Sequence, residues 1–374
     1  MDIGDFKPFL ELIRVSIGSA DSFSFAPTQE DWKTFYSLSK KHTILGICFN
    51  GIDKLFQEHP EQVVNLPMQL KMLWIGAADG IRQRNELLNY RCAQLSEKLL
   101  ADGFRSCILK GQGVAALYGE ELQFLRQSGD IDIWVDGDRE AVINYVMGIV
   151  PTRDFDQKHI QFHIFDDVTV EAHWIPVNRC SPKFDRLLGR YFDSQRERQF
   201  SNGSSVNYPT ADFQLVHQLL HVYGHYVYEG VGIRQIMDLY FSQVFCVKFE
   251  PEKVKEVLDL FARMGLVRFV AAAQWVMYEL FANKTDAPDW LICEPDENEG
   301  RRLLAEIVSG GNFGQFDARN RVKNESFMHR FWRRWSRKWR MWRYDLIGTL
   351  IMPVERLKLE FWMRTVRRRY NVGD

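Results

Sequence analysis

Gly129-Asp130-Ile131-Asp132-Ile133-Trp134-Val135 alternates carboxylates with apolar residues before running fully apolar. Side chains two apart in a strand share a face, so Asp130 and Asp132 converge while Ile131 and Ile133 pack on the other side. Two close carboxylates repel one another unless a cation compensates them, and oxygen-rich sites suit Mg2+ or Mn2+. An Asp-x-Asp on a surface strand is common by itself, so its meaning depends on its neighbours.

Upstream, Phe104 to Leu109 has strand character, Lys110 to Gly113 is a glycine-bearing turn, and Val114 to Tyr118 starts a helix. At such a helix entrance the unpaired backbone donors and the helix dipole can hold phosphate oxygens at Gly111. Lys110 either meets a phosphate or is an exposed turn lysine. The Gly-Lys-Ser/Thr spacing of a P-loop is absent. Downstream, a strand over Asp130 to Val135 precedes a helix from about Arg139 to Met147. Ile160 to Phe165 and Val168 to Trp174, parted by Asp166 and Asp167, read as a hairpin.

In that hairpin Glu171 shares its phase with Thr169 and His173. If its strand lies beside the Asp130 strand, a third carboxylate joins the pair and two metal ions become feasible. Arg126, four residues before Asp130, either orients phosphate and supports the carboxylates or forms a structural salt bridge. Arg234 and Asp238 are four apart on a helix and can pair with each other. His159, Gln161 and His163 share a hairpin face, and His217, His221 and His225 recur every four residues. No cysteine or carboxylate set completes a zinc site around them, which favours packing or pocket lining.

The flanks are helical. Thr28 is placed to cap a helix carrying Trp32, Phe35 and Leu38, and residues 68 to 101 form one long helix or two around Gly76 and Gly80. From Pro209 the chain is helical again, with a loop at Gly310 to Gly314 that needs backbone freedom. These readings divide the chain into a helical region 1–100, a core 101–208, a helical domain 209–320 and a basic, aromatic-rich segment 321–374. With 374 residues, 46% of them apolar, the chain can bury a substantial core. The fold class is α+β: a small mixed sheet with flanking helices inside a mostly helical chain.

Net charge is −1, yet residues 321–370 hold fifteen Lys or Arg against four acids, so the remainder is acidic. Six scattered cysteines without a CxxC pair fit a reducing compartment. The N-terminus has no signal-peptide pattern and no apolar run is long enough to span a bilayer. A cytoplasmic protein is expected, with peripheral membrane contact open.

Leu109, Lys110, Gly111, Ala115, Leu117 and Tyr118, followed by Arg126, Gly129, Asp130, Ile131, Asp132 and Val135, resemble the signature of uncharacterised bacterial nucleotidyltransferases in the DNA-polymerase-β-like superfamily. Glu171, His173 and Trp174 resemble the acid-any-His-Trp segment that follows in them, and Arg234 and Asp238 a later helical pair. The resemblance implies transfer of a nucleoside monophosphate from an NTP to a hydroxyl-bearing acceptor, with release of pyrophosphate. It assigns the metals to Asp130, Asp132 and Glu171, and NTP contacts to Lys110, Gly111 and Arg126. Gly111 stands where better-known members carry Gly-Ser, and the serine is missing. The acceptor implied is a small molecule, a protein or RNA. A noncatalytic nucleotide-binding or interaction protein that kept the fold is the alternative.

Trp332, Trp335, Trp339, Trp342 and Leu346 fall at helical intervals among Arg333, Arg334, Arg337, Lys338, Arg340 and Arg343. The stripe either closes the helical core or docks on a membrane or nucleic acid.

Overall fold

The computed structural model describes residues 3–177, 182–201, 206–283, 288–317, 332, 335–337, 339, 342, 344 and 346–372. Helices α1 (Ile3–Ile17), α2 (Gln29–Lys41), α3 (Leu45–Glu58) and α4 (Met68–Ala101) lead into strand β1 (Ser106–Ile108). Short helices α5 (Gln112–Ala115) and α6 (Gly119–Leu122) connect to β2 (Ile131–Val135), followed by α7 (Arg139–Ile149), β3 (His159–Phe162) and β4 (Val170–His173). The chain then runs through α8 (Pro182–Phe200), α9 (Ala211–Tyr228), α10 (Ile233–Phe249), α11 (Lys253–Met264), α12 (Val267–Phe281) and α13 (Glu297–Gly310) to α14 (Leu346–Arg369).

The expected α+β class is the observed one. The sheet runs β1-β2-β4-β3, with β2 antiparallel to β1 and parallel to β4, and β3 antiparallel to β4. Alternation sorts its two faces. Ile131, Ile133, Val135, Val170 and Ala172 enter one core with Leu88, Cys92, Leu95 and Leu99 of α4 and Val142 and Val146 of α7. On the opposite face, Trp134 lies fully buried among Phe192, Phe200 and Phe213, stacked on Phe213 at 5.6 Å. Burial of one such large apolar side chain contributes roughly 2–3 kcal/mol.

Thr28 caps α2 in a capping box with Asp31, and Trp32, Phe35 and Leu38 are buried as expected. Residues 68 to 101 form one helix, whose core-facing residues Leu88, Cys92, Leu95 and Leu99 recur at three and four. The N-terminal helices share a continuous core with α9 to α13. The stretch from Asp212 to Val244 breaks where Gly230, with φ +149, abuts Gly314: a Cβ there would stand 2.6 Å from the Gly314 backbone. Among the described residues no helix is long and apolar enough to cross a membrane. Cys48, Cys92, Cys107, Cys246 and Cys293 are free; Cys180 lies outside the described residues.

His42 and His217 are fully enclosed, and burial depresses both to about 3, with nearby Lys41 and Lys110 adding to it respectively. Both therefore fold neutral. The unfolded chain binds their protons first, so stability present above pH 6.5 is lost as pH falls from about 6.5 towards 3, by about 1.4 kcal/mol per pH unit per histidine. The melting temperature should fall between pH 7 and 5, and less steeply in a His42→Asn/His217→Asn variant. An identical slope in that variant would contradict the assignment.

Candidate active site

The candidate site residues come together where the Trp134 face of the sheet opens to α9 and α10. Asp132 pairs in register with Glu171 across the parallel β2–β4 ladder, and Trp134 with His173. Glu171 and His173 therefore share the face of Asp132, as their phase in the hairpin implied. Asp130 is one residue before β2, and ligand oxygens of Asp130, Asp132 and Glu171 lie within 4.8 Å of one another. A hard, oxygen-only donor set of this size fits Mg2+ or Mn2+. His159, Glu171 and His173 form an overlapping group of the same span, with nitrogen donors.

Electrostatics divides the three acids. Lys110 Nζ lies 2.5 Å from Asp132 Oδ1, and His173 Nε2 2.9 Å from the same oxygen. Burial opposes charge on Asp132, but Lys110 and His173 hold its carboxyl well below the usual range. Because an ionised carboxylate only accepts, His173 carries its proton on Nε2. Asp130 is pushed the other way, first by the charge on Asp132 and then by burial. Glu171 is 3.2 Å from His159 and 3.4 Å from His173; burial and Asp132 oppose its charge, and His173 and Lys110 bring it below its ordinary value.

The turn beneath this cluster needs both glycines. Gly111 has φ +58, and a Cβ on Gly113 would stand 2.5 Å from the Ile108 carbonyl oxygen. The turn is fixed to β2 by Leu109 N–H donating to the Asp132 carbonyl. From α4, Asn85 donates to the carbonyls of Phe124 and Arg126, and Arg84 to that of Gly129. These bonds hold the loop that delivers Asp130.

Arg126 faces Asp238 rather than the carboxylate cluster. Its Nε and Nη2 donate to the two Asp238 oxygens at 2.6 and 2.7 Å, Tyr118 donates to Asp238 at 2.6 Å, and Arg126 Nη1 reaches Ser128. Asp238 thus pairs across elements and not with Arg234, its neighbour along the helix. Arg234 instead donates to the Gln127 carbonyl; its Nε is buried without a hydrogen-bond partner, and it has no carboxylate pair among the described residues. Burial and Arg126 lower its pKa.

A cavity of about 540 Å³ is lined by Lys110, Gly111, Arg126, Asp130, Asp132, Glu171, Arg234 and Asp238. Lys158 lines it too, without a salt bridge among the described residues and lowered by burial and Lys110. Sequence reading gave Lys158 no role, because it sits in an aperiodic polar loop before β3. The far wall carries His221, His225, Tyr228 and Phe313. Along α9 His217 stacks on His221, and His221 meets His225 edge-on; His221, His225 and His159 line the cavity. Thr43 and Phe313 adopt φ +60 and +51 and both line it. Such backbone is costly for side chains with a Cβ and concentrates at functional sites.

With this geometry in view, comparison with known proteins finds one family. Residues 28–282 match the family described as "Uncharacterised nucleotidyltransferase". No curated protein and no solved structure matches.

Proposed function

The match covers more than half of the chain, which therefore belongs to this nucleotidyltransferase family, and from that premise we propose that it moves a nucleoside monophosphate from an NTP to a hydroxyl-bearing acceptor. The acceptor oxygen forms a bond to the α-phosphorus, the bond from that phosphorus to the bridging oxygen breaks, and pyrophosphate leaves with the electron pair. The observation that carries this reading is the convergence of Asp130, Asp132 and Glu171 beside the half-buried Lys110. A binding-only protein has no need of three carboxylates in mutual repulsion.

Asp130, Asp132 and Glu171 would hold Mg2+ or Mn2+, whose chemistry when bound is charge neutralisation on the phosphates and activation of the attacking oxygen. Glu171, beside Asp132 on the neighbouring strand, takes up the acceptor proton. Lys110, Lys158 and Arg234 present three cations to one cavity that also holds the acids. We assign them to the β- and γ-phosphates, with Gly111 allowing close backbone approach. Arg126 positions the loop that ends in Asp130. Electrostatic stabilisation of the transferring phosphoryl group is the main catalytic contribution.

One observation favours a second reading, nucleotide binding without turnover: the Lys110 ammonium already satisfies Asp132 from within the chain. Titration with a nonhydrolysable NTP, with and without Mg2+, separates the two. Catalysis requires tight binding that depends on the metal. Arg234→Met should weaken that binding by roughly tenfold or more, since a charge-assisted phosphate contact is lost. The melting temperature should change little, because the arginine has no carboxylate pair to abandon among the described residues. Metal-independent binding, or an unaltered Arg234→Met titration, would contradict the assignments.

A further inference from the structure

Helix α14 has two faces with different fates. Leu359 is buried, and Trp362, Met363 and Val366 pack on the core under the sheet, where Trp362 meets Phe155 edge-on at 5.5 Å. On the opposite side Leu346, Leu350, Val354, Leu357 and Phe361 are 47%, 59%, 54%, 70% and 76% exposed. Their spacing of four, four, three and four aligns them in one stripe. Arg364 and Arg368 continue the same spacing and are exposed. The helix carries six basic residues, Arg356, Lys358, Arg364, Arg367, Arg368 and Arg369, against Glu355 and Glu360.

Nearby, the expected tryptophan stripe is not closed into the core: Trp332, Trp339 and Trp342 are about half exposed. Arg337 departs from the expected basic surround, being buried against Glu306 and Asp317 and donating to the Tyr226 carbonyl. Arg333, Arg334, Lys338, Arg340 and Arg343 lie outside the described residues.

We propose that the exposed face of α14 docks the protein on an anionic lipid surface. Helices with an apolar stripe and basic flanks lie in the plane of a membrane interface, where aliphatic side chains enter the acyl boundary and arginines reach lipid phosphates. Charge complementarity selects this occupant. Basic residues near an anionic leaflet are each attracted to it, and α14 and the segment before it concentrate the positive charge of an otherwise acidic chain. Nucleic acid fits the face less well, because Leu350, Val354 and Leu357 offer no surface on which bases stack. A second copy would bring the same excess of positive charge against itself.

The test is co-sedimentation of the full chain with phosphatidylglycerol-containing vesicles and with pure phosphatidylcholine vesicles, across salt. The intact protein should pellet with the anionic vesicles alone, less as ionic strength rises. Leu357→Asp combined with Phe361→Asp, and separately Arg364→Glu combined with Arg368→Glu, should each reduce partitioning by roughly tenfold or more with an unchanged melting temperature. Wild-type protein that stays in solution with anionic vesicles at low salt would overturn the proposal. So would vesicle binding untouched by either variant, a self-associated dimer that the aspartate pair dissolves, or RNA binding without vesicle binding.

Discussion

Asp132→Asn is expected to cut metal-dependent pyrophosphate release from an NTP by at least roughly a thousandfold, because one substitution removes a proposed metal ligand and the charge that organises its neighbours. The metal-free protein adds a second readout. Asp132 is held ionised in the fold by Lys110 and His173, so its neutralisation leaves the half-buried Lys110 ammonium without its partner and should lower the melting temperature. Asp130→Asn should abolish turnover equally but raise the metal-free melting temperature at pH 7. The sign follows from linkage: the Asp130 carboxyl is raised in the folded state, chiefly by the charge on Asp132, so ionising it above that value costs stability which the amide relieves. Thermal melts with and without Mg2+, read beside pyrophosphate release, test both. Turnover close to wild type in Asp132→Asn would sink the catalytic reading. Equal destabilisation by both substitutions would show that Lys110 does not divide the two aspartates.

That contrast rests on the part of the molecule most legible in the sequence. The alternation from Asp130 to Ile133 reads as a strand with its carboxylates on one face and its isoleucines on the other, and the hairpin phase of Glu171 fixed which way its carboxylate turns. Parallel adjacency of β2 and β4 was conditional, since strand order is a property of long-range packing that a local period does not encode. Cross-element partners were equally hidden. Asp238 sits four residues from Arg234, the spacing of a helical pair, yet burial decides otherwise: α10 turns that face towards Arg126 and Tyr118. Lys158 and the aromatic wall at Tyr228 and Phe313 belong to loops and helix ends, where pocket residues are supplied by tertiary proximity without a periodic mark. The tryptophans near the C-terminus show the converse failure. Their helical spacing was plain, but spacing defines a stripe and not what covers it.

Arg126→Met should destabilise the folded protein by about 3–5 kcal/mol, the cost of leaving one half of a buried ion pair uncompensated. Arg126 and Asp238 are each 3% exposed and joined by both Asp238 oxygens. Burial works against the guanidinium charge, and the adjacent Asp238 nevertheless raises its pKa above the ordinary value. Asp238→Leu should cost a similar amount, whereas the double variant should recover most of the loss, because two apolar groups of comparable size replace two charges that needed each other. Denaturant midpoints for the four proteins give this cycle. Its functional content lies in the double variant. Arg126 also donates to Ser128, two residues before Asp130, so a folded protein without the pair loses one constraint on the loop that delivers that carboxylate. It should therefore regain stability while binding Mn2+ more weakly than wild type, a split that a purely structural salt bridge would not produce. Full recovery of metal affinity with stability would remove Arg126 from the positioning of the site, and additive losses in the cycle would refute the pairing itself.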